Sequence, residues 1–309
     1  MIVLGGGLIA APIAFQMFQR APKGASMLAE FRPFMTTARL DGFQRDIGVI
    51  GAGVDQIGSS VGPYLDRTAG TPPLGTAYPA YGQLAGQWPG IDQKMTTLLD
   101  QVQGNLGNYH DVAALPSFSL FPWFFVIPGV LMVGSGLALL RRRRTGAVVL
   151  VGAVGIGLVL APVAFQMFSR APPGGHMMAA FRNIETTSNV TEIQDDFSTM
   201  ASGQGAIRLD IVPALESTGL SASQIAQRFP AVTTLDADWV HILNDMTPMI
   251  GAMSDNVPNY QAIAALPPFA LFPWFFVIPG VLLVGAAGWI ALSRPESSLV
   301  AAATAERDQ

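Results

Sequence analysis

The sequence predicts an all-α protein: four transmembrane helices in two tandem repeats, each repeat carrying an extracytoplasmic antiparallel helical hairpin. Three observations lead there. Half of the 309 residues are hydrophobic and only 12% are charged, against roughly a quarter in ordinary soluble chains. The apolar residues gather in four blocks, Met1 to Phe18, Leu120 to Leu140, Gly146 to Phe168 and Leu271 to Leu292. Between the blocks, apolar residues recur at spacings of three and four, the period of a helix that buries one stripe.

Taken in order, the first unit opens with a span at residues 1–18. It contains no Asp, Glu, Lys or Arg and approaches the roughly 20 residues that cross a ~30 Å hydrocarbon layer. A signal peptide would carry a basic leader, which this block lacks. Residues 19–119 form the first hairpin. Leu40, Phe43, Ile47, Ile50, Val54, Ile57 and Val61 make a heptad seam on its outgoing helix, with Pro63 as a stop signal. Gly, Pro and Thr between Thr68 and Tyr81 mark a loop. A return helix starting after Pro89 carries Met95, Leu98, Val102, Leu106 and Tyr109. Residues 120–140 are the second span and 141–145 a short connection.

The second unit repeats this plan. Residues 146–168 are the third span and 169–270 the second hairpin. Its outgoing seam is Val190, Ile193, Phe197, Met200, Gln204, Ile207 and Ile211, with Pro213 as the stop. A shorter loop lies near Glu216 to Ser223. The return helix, starting near Thr234 or Leu235, carries Trp239, Ile242, Met246, Met249, Met253, Val257 and Tyr260. Residues 271–292 are the fourth span and 293–309 a tail. The duplication is explicit at the span ends: APIAFQMFQR at Ala11–Arg20 recurs as APVAFQMFSR at Ala161–Arg170. LFPWFFVIPGVL at Leu120 recurs unchanged at Leu271. Both copies cross in the same sense, as parallel repeats do, and two hairpins side by side close into a four-helix bundle.

Orientation follows from Arg141, Arg142, Arg143 and Arg144, which fill the connection between the second and third spans. Positive charge in a short loop marks the cytoplasmic side. Both termini are then cytoplasmic, both hairpins lie outside a plasma membrane, and membrane lipids are obligatory partners.

The densest motifs sit where the spans meet the outer surface. Phe121, Trp123 and Phe124, with Phe272, Trp274 and Phe275, supply an interfacial aromatic belt. Pro12, Pro128, Pro162 and Pro279 fall at similar depth in the four spans and predict kinks, with Gly129 and Gly280 permitting close helix approach. Splayed outer halves would form an aromatic-lined vestibule for a lipid tail, with Gln16 and Gln166 at its rim. Arg20 and Arg170 follow on the chain, placed to anchor at the interface or to meet headgroup phosphates.

Other chemistry is thinly represented. The chain has no cysteine, which removes thiol chemistry and disulfides. His110, His176 and His241 have no partner at metal-ligand spacing, and no nucleophile-elbow or phosphate-loop pattern occurs. The sequence implies no cofactor, no metal and no nucleic-acid module.

The AFQMFxRAP and LFPWFFVIPG segments resemble those of uncharacterised multi-pass membrane proteins of actinobacteria. The resemblance covers the membrane-proximal parts of both copies and implies a bacterial plasma-membrane location. The order span, helical ectodomain, span is also similar to that of chemoreceptor sensor modules, without their cytoplasmic signalling domain. The expected function is a non-enzymatic structural or accessory subunit of the cell envelope, whose hairpins dock a protein partner or a second copy of the chain. The alternative is a carrier for a lipid or other apolar ligand in the outer-leaflet vestibule.

Overall fold

The computed structural model describes residues 2–140 and 144–293, and every regular element among them is helical. Those residues divide into two compact units. The first comprises Met1–Ser26, His110–His176 and Ala262–Gln309; the second comprises Met27–Tyr109 and Met177–Gln261.

The chain opens with α1 (Ile2–Ala14) and α2 (Met17–Phe31), which meet at a 57° bend. The sequence reads residues 1–18 as one span, but its helix stops at Ala14. The Gln16 amide turns back to the Ile13 carbonyl, and Gln16 itself takes the left-handed conformation at φ 54°. Its carbonyl then accepts from the amides of Gln19 and Arg20 to start the next helix.

There follow α3 (Thr37–Gln56), a π-helical turn at Ile57–Val61, α4 (Gly62–Ala69), α5 (Leu74–Ala77), α6 (Pro79–Gly104), α7 (Leu106–Ala113) and α8 (Phe121–Leu140). After the Arg-rich connection come α9 (Arg144–Ala164), α10 (Met167–Phe181), α11 (Thr187–Ala206), a second π-helical turn at Ile207–Ile211, α12 (Val212–Ser217), α13 (Ala222–Arg228), α14 (Pro230–Ala264) and α15 (Phe272–Leu292).

Three helical stretches, Phe118–Ala138, Gly146–Ala164 and Phe269–Leu292, are long and apolar enough to cross a membrane; counting the bent α1–α2 pair makes four. In the first unit α1 packs on α8, α9 on α15, and α8 on α9. Glycines set the closest approaches. A Cβ on Gly5 would lie 2.7 Å from the Gly129 carbonyl oxygen, and one on Gly155 would lie 2.9 Å from that of Gly280. Backbone meets backbone there, and no rotamer change relieves an added methyl.

The second unit is built on α3, α6, α11 and α14, which share one apolar core. All seven outgoing-seam residues of the first copy are buried, as are those of the second except Phe197, which is half-buried. Gln204 satisfies its amide on Asp236 at 3.2 Å. Each outgoing helix starts at the same kind of cap: Thr36 accepts from the Arg39 amide and Thr186 from the Asn189 amide. Gly53 of α3 lies against Leu235 of α14, and Gly203 of α11 against Leu84 of α6. α3 thus packs on α14, and α11 on α6. The Gln56 side chain extends the exchange, accepting from the amides of Ala231 and Val232 in the first turn of α14.

Prolines behave differently from their reading as punctuation. Pro63 and Pro213 do not end their helices. The Gly62 amide reaches back to Ile57 and the Val212 amide to Ile207, so one wide turn precedes each proline and the helix continues to Ala69 or Ser217. The π turn fits a residue that has no amide to offer and a ring that crowds the carbonyl four back. Pro89 likewise lies inside α6, which begins at Pro79. The return helix of the second copy begins at Pro230, four residues before the position expected from its hydrophobic stripe.

Candidate functional site: an apolar cavity in the second unit

The sequence-predicted surface motifs are placed in the first unit. Phe121 stacks on Phe272 with ring centroids 5.6 Å apart, Phe124 meets Phe276 at 6.1 Å, and Phe125 meets Phe275 at 6.3 Å. Phe118 and Phe269 close the cluster edge to face at 5.6 Å. These rings are one another's partners, at centroid separations where aromatic pairs attract. Trp123 and Trp274 are half exposed and contact Phe18 and Phe168 edge-on.

Gln16 and Gln166 occupy the left-handed turns between α1 and α2 and between α9 and α10, at φ 54° and 52°. Arg20 donates to the Ala265 carbonyl at 3.0 Å, and Arg170 to the Ala114 carbonyl at 3.3 Å. Each arginine therefore binds the carbonyl just past a return helix of the other copy, where a cation also complements the helix dipole. Pro12, Pro128, Pro162 and Pro279 lie within α1, α8, α9 and α15. Arg141, Arg142 and Arg143 lie outside the described residues, and Arg144 opens α9.

Sequence reasoning missed a cavity in the second unit. It holds about 60 Å³, and its surface is almost wholly apolar. Its walls come from stretches of chain about 150 residues apart, at matching positions. Met27, Leu28 and Phe31 of α2 match Met177, Met178 and Phe181 of α10; Leu98 and Val102 of α6 match Met249 and Met253 of α14. Six of the chain's thirteen methionines line it. Methionine is flexible and polarizable, and recurs on surfaces that accept apolar partners of varying shape.

Two tyrosines hold these walls together. Tyr109 donates to the Leu28 carbonyl at 2.6 Å, and Tyr260 to the Met178 carbonyl at 2.5 Å. Burial pushes the phenol pKa of both upward, so both hydroxyls keep the proton that they donate.

One position breaks the symmetry. Met35 on the first copy is matched by Glu185 on the second, and both line the cavity. Glu185 is 4% exposed, its Oε2 has no hydrogen-bond partner, and burial pushes its pKa up to about 8. At neutral pH it is a buried, uncharged carboxylic acid whose oxygen is shielded behind a cavity surface that is almost wholly apolar. Aligning the two copies at the 150-residue offset of their first motif would have placed this glutamate opposite a methionine, the one signal for it in the sequence.

Among the described residues no group of three or more His, Cys, Asp or Glu is arranged to hold a metal ion. The chain matches no protein-family model, and neither a curated protein nor a solved structure is significantly similar to it. Fold and cavity define the class: an all-helical protein with three to four helices apolar enough to span a membrane and a methionine-rich cavity in its second unit.

Proposed function

We propose that this protein is a non-enzymatic, membrane-anchored binder of single-chain lipids, which holds an acyl or alkyl chain in the cavity of its helical domain. The cavity carries this reading: a paired, apolar, adaptable surface rich in methionine, of the kind that accepts an apolar ligand. In this reading the chain crosses the plasma membrane four times with both termini cytoplasmic. The helical domain formed by the two duplicated hairpins then lies outside, and lipid is supplied by the surrounding bilayer.

The partner-docking reading drew its force from long apolar seams. Those seams are buried in the chain's own core, so they no longer argue for a second protein. The carrier idea survives with a different pocket: its ligand sits among methionines of the helical domain, while the aromatic belt serves packing and anchoring.

The test is native mass spectrometry of the full chain after gentle extraction, comparing wild type with V102W. The indole of V102W would occupy the cavity. Wild type is expected to retain lipid of one chain per protein, and V102W to lose it while keeping its helical circular dichroism. Absence of bound lipid from wild type, or its equal retention in V102W, overturns the proposal.

A further inference from the structure

We infer that the head of the bound lipid lies in a groove beside the cavity, between α6 and the start of α11, and that this head is an uncharged polyol such as a sugar. The inference rests on the lipid-binding reading above and names the class of lipid. Its basis is that two spaces share their walls. The groove holds about 470 Å³, within the range of ligand sites, whereas the cavity holds about 60 Å³. Leu98 of α6 and Ile184, in the turn before α11, line both. The two spaces are therefore no more than a side chain apart, and a change of rotamer at Leu98 is the step that joins them. Leu98 also lines a smaller apolar space of about 20 Å³ in the core, beside Phe43 and Ile47. Apolar room lies on the inner side of Leu98 and polar groups on its outer side, the order that an amphiphile requires.

The side chains of the groove select the head. Gln93, Thr97 and Gln101 follow one another at intervals of four along α6 and so share a face. Asn183 and Asn189 line the groove from the α11 side. Thr97 donates to the Gln93 carbonyl at 2.7 Å, and the Asn189 amide to the Asn183 carbonyl. The side-chain amides of Gln93, Gln101 and Asn183 are exposed and make no hydrogen bond to another described residue. Each amide offers donors and an acceptor together, which complements adjacent hydroxyls that donate and accept in turn.

Charge argues against an ionic head. Lys94 is held by Glu192 at 2.5 Å and by Asp196 at 2.6 Å. One cation between two carboxylates leaves negative charge in excess, which repels a phosphate or carboxylate head. A cationic head would have to displace Lys94 from carboxylates that it already bridges. The sequence supplies a contrast 150 or 151 residues away, where Thr97, Gln101, Asn183 and Asn189 correspond to Pro248, Ala252, Pro33 and Arg39. The amide set therefore belongs to one side alone. Gly90 also lines the groove, and a Cβ there meets nothing within 4 Å, so a larger residue at this position fills the groove without straining α6.

The experiment uses the full chain in phosphatidylcholine nanodiscs and four photoactivatable fourteen-carbon probes carrying a diazirine in the chain: the alkane, the glucoside, the phosphate and the trimethylammonium salt. Adducts on the peptides containing Leu98 and Val102 are quantified. In wild type the glucoside should label about tenfold more strongly than the alkane, the net effect of one or two hydrogen bonds. G90W should bring the glucoside down to the level of the alkane without lowering the alkane itself. Q93A/Q101A, which removes two amides and leaves the groove open, should also reduce the advantage. Methyl glucoside, the head without the chain, should not compete at equal concentration. No labelling of these peptides by any probe overturns the lipid-binding reading itself. Labelling by the alkane with no glucoside advantage in wild type, or an advantage unchanged in either variant, overturns only the head site. Preference for the phosphate or the trimethylammonium probe overturns the uncharged polyol. Competition by methyl glucoside at equal concentration marks a site for free sugar and overturns its link to the cavity.

Discussion

Replacing Glu185 with methionine should stabilise the protein, and by an amount that depends on pH. In the unfolded chain the carboxyl titrates near 4.5, whereas burial raises it to about 8 in the fold. Between those values the native state holds a proton that the unfolded state has released. The linkage sign is then fixed: stability is greatest below about 4.5, declines as pH rises toward 8, and is flat beyond. At pH 7 the 2.5-unit gap corresponds to roughly 3 kcal/mol, as an upper bound, since water penetration would lower it. At 4% exposure solvent screening offers little further discount. Asp46 contributes a slope of the same sign. It is 8% exposed, with its pKa raised by burial and by Asp245 and lowered by His241, Arg45 and Arg39. The informative quantity is therefore the difference between wild type and E185M, from which Asp46 cancels.

The assay is thermal unfolding of the full chain in detergent, followed by helical circular dichroism at pH 5, 7 and 9 without added ligand. For a domain of 150–250 residues each kcal/mol moves Tm by roughly 2–4 °C. E185M should therefore melt several degrees above wild type at pH 7 and further above it at pH 9, with the two converging at pH 5. A difference that is constant across pH, or an E185M protein less stable than wild type at pH 9, would show that Glu185 is not a buried neutral acid.

The helix crossings predict a contrast: G5A and G155A should each cost about 1–3 kcal/mol by overpacking, seen as a lower Tm, whereas G7A and G157A, where a Cβ meets nothing within 4 Å, should be neutral. Y109F and Y260F should each lose about 1 kcal/mol, the net worth of one buried hydrogen bond, measured by urea unfolding. Lys94 bridges Glu192 at 2.5 Å and Asp196 at 2.6 Å from a side chain 36% exposed; K94Q should cost no more than about 1 kcal/mol, and the loss should shrink in high salt. Q16G and Q166G should stabilise by up to about 1 kcal/mol, because glycine takes the left-handed turn without steric penalty, and should leave lipid retention unchanged.

How much of this was readable beforehand differs by physical cause. The seams were legible because burial on a helix leaves a period in one dimension: Leu40, Phe43, Ile47, Ile50, Val54, Ile57 and Val61 are all in the core. The helix ends were less legible. Pro63 and Pro213 carry a local preference for ending a helix, and a wide turn satisfied by packing on both sides overrode it. The break at Gln16 left no compositional mark, since glutamine is not a residue that favours positive φ. The cavity was hidden for another reason. Its walls come from helices separated by up to about 230 residues, and no local pattern records that they meet.

The Glu185 position shows what duplication makes visible. Several of the residues that line the cavity are of the same type at positions 150 or 151 apart in the sequence. Met27 with Met177, Phe31 with Phe181 and Tyr109 with Tyr260 retain that pairing. An acid at the position that matches Met35 then carries a stability cost at neutral pH that the methionine does not bear. A residue that destabilises the fold at neutral pH and makes no internal hydrogen bond through Oε2 contributes nothing to packing that methionine would not. The pH profile of E185M therefore measures directly the cost of that unmet acid, with Met35 showing what the matching position does without it.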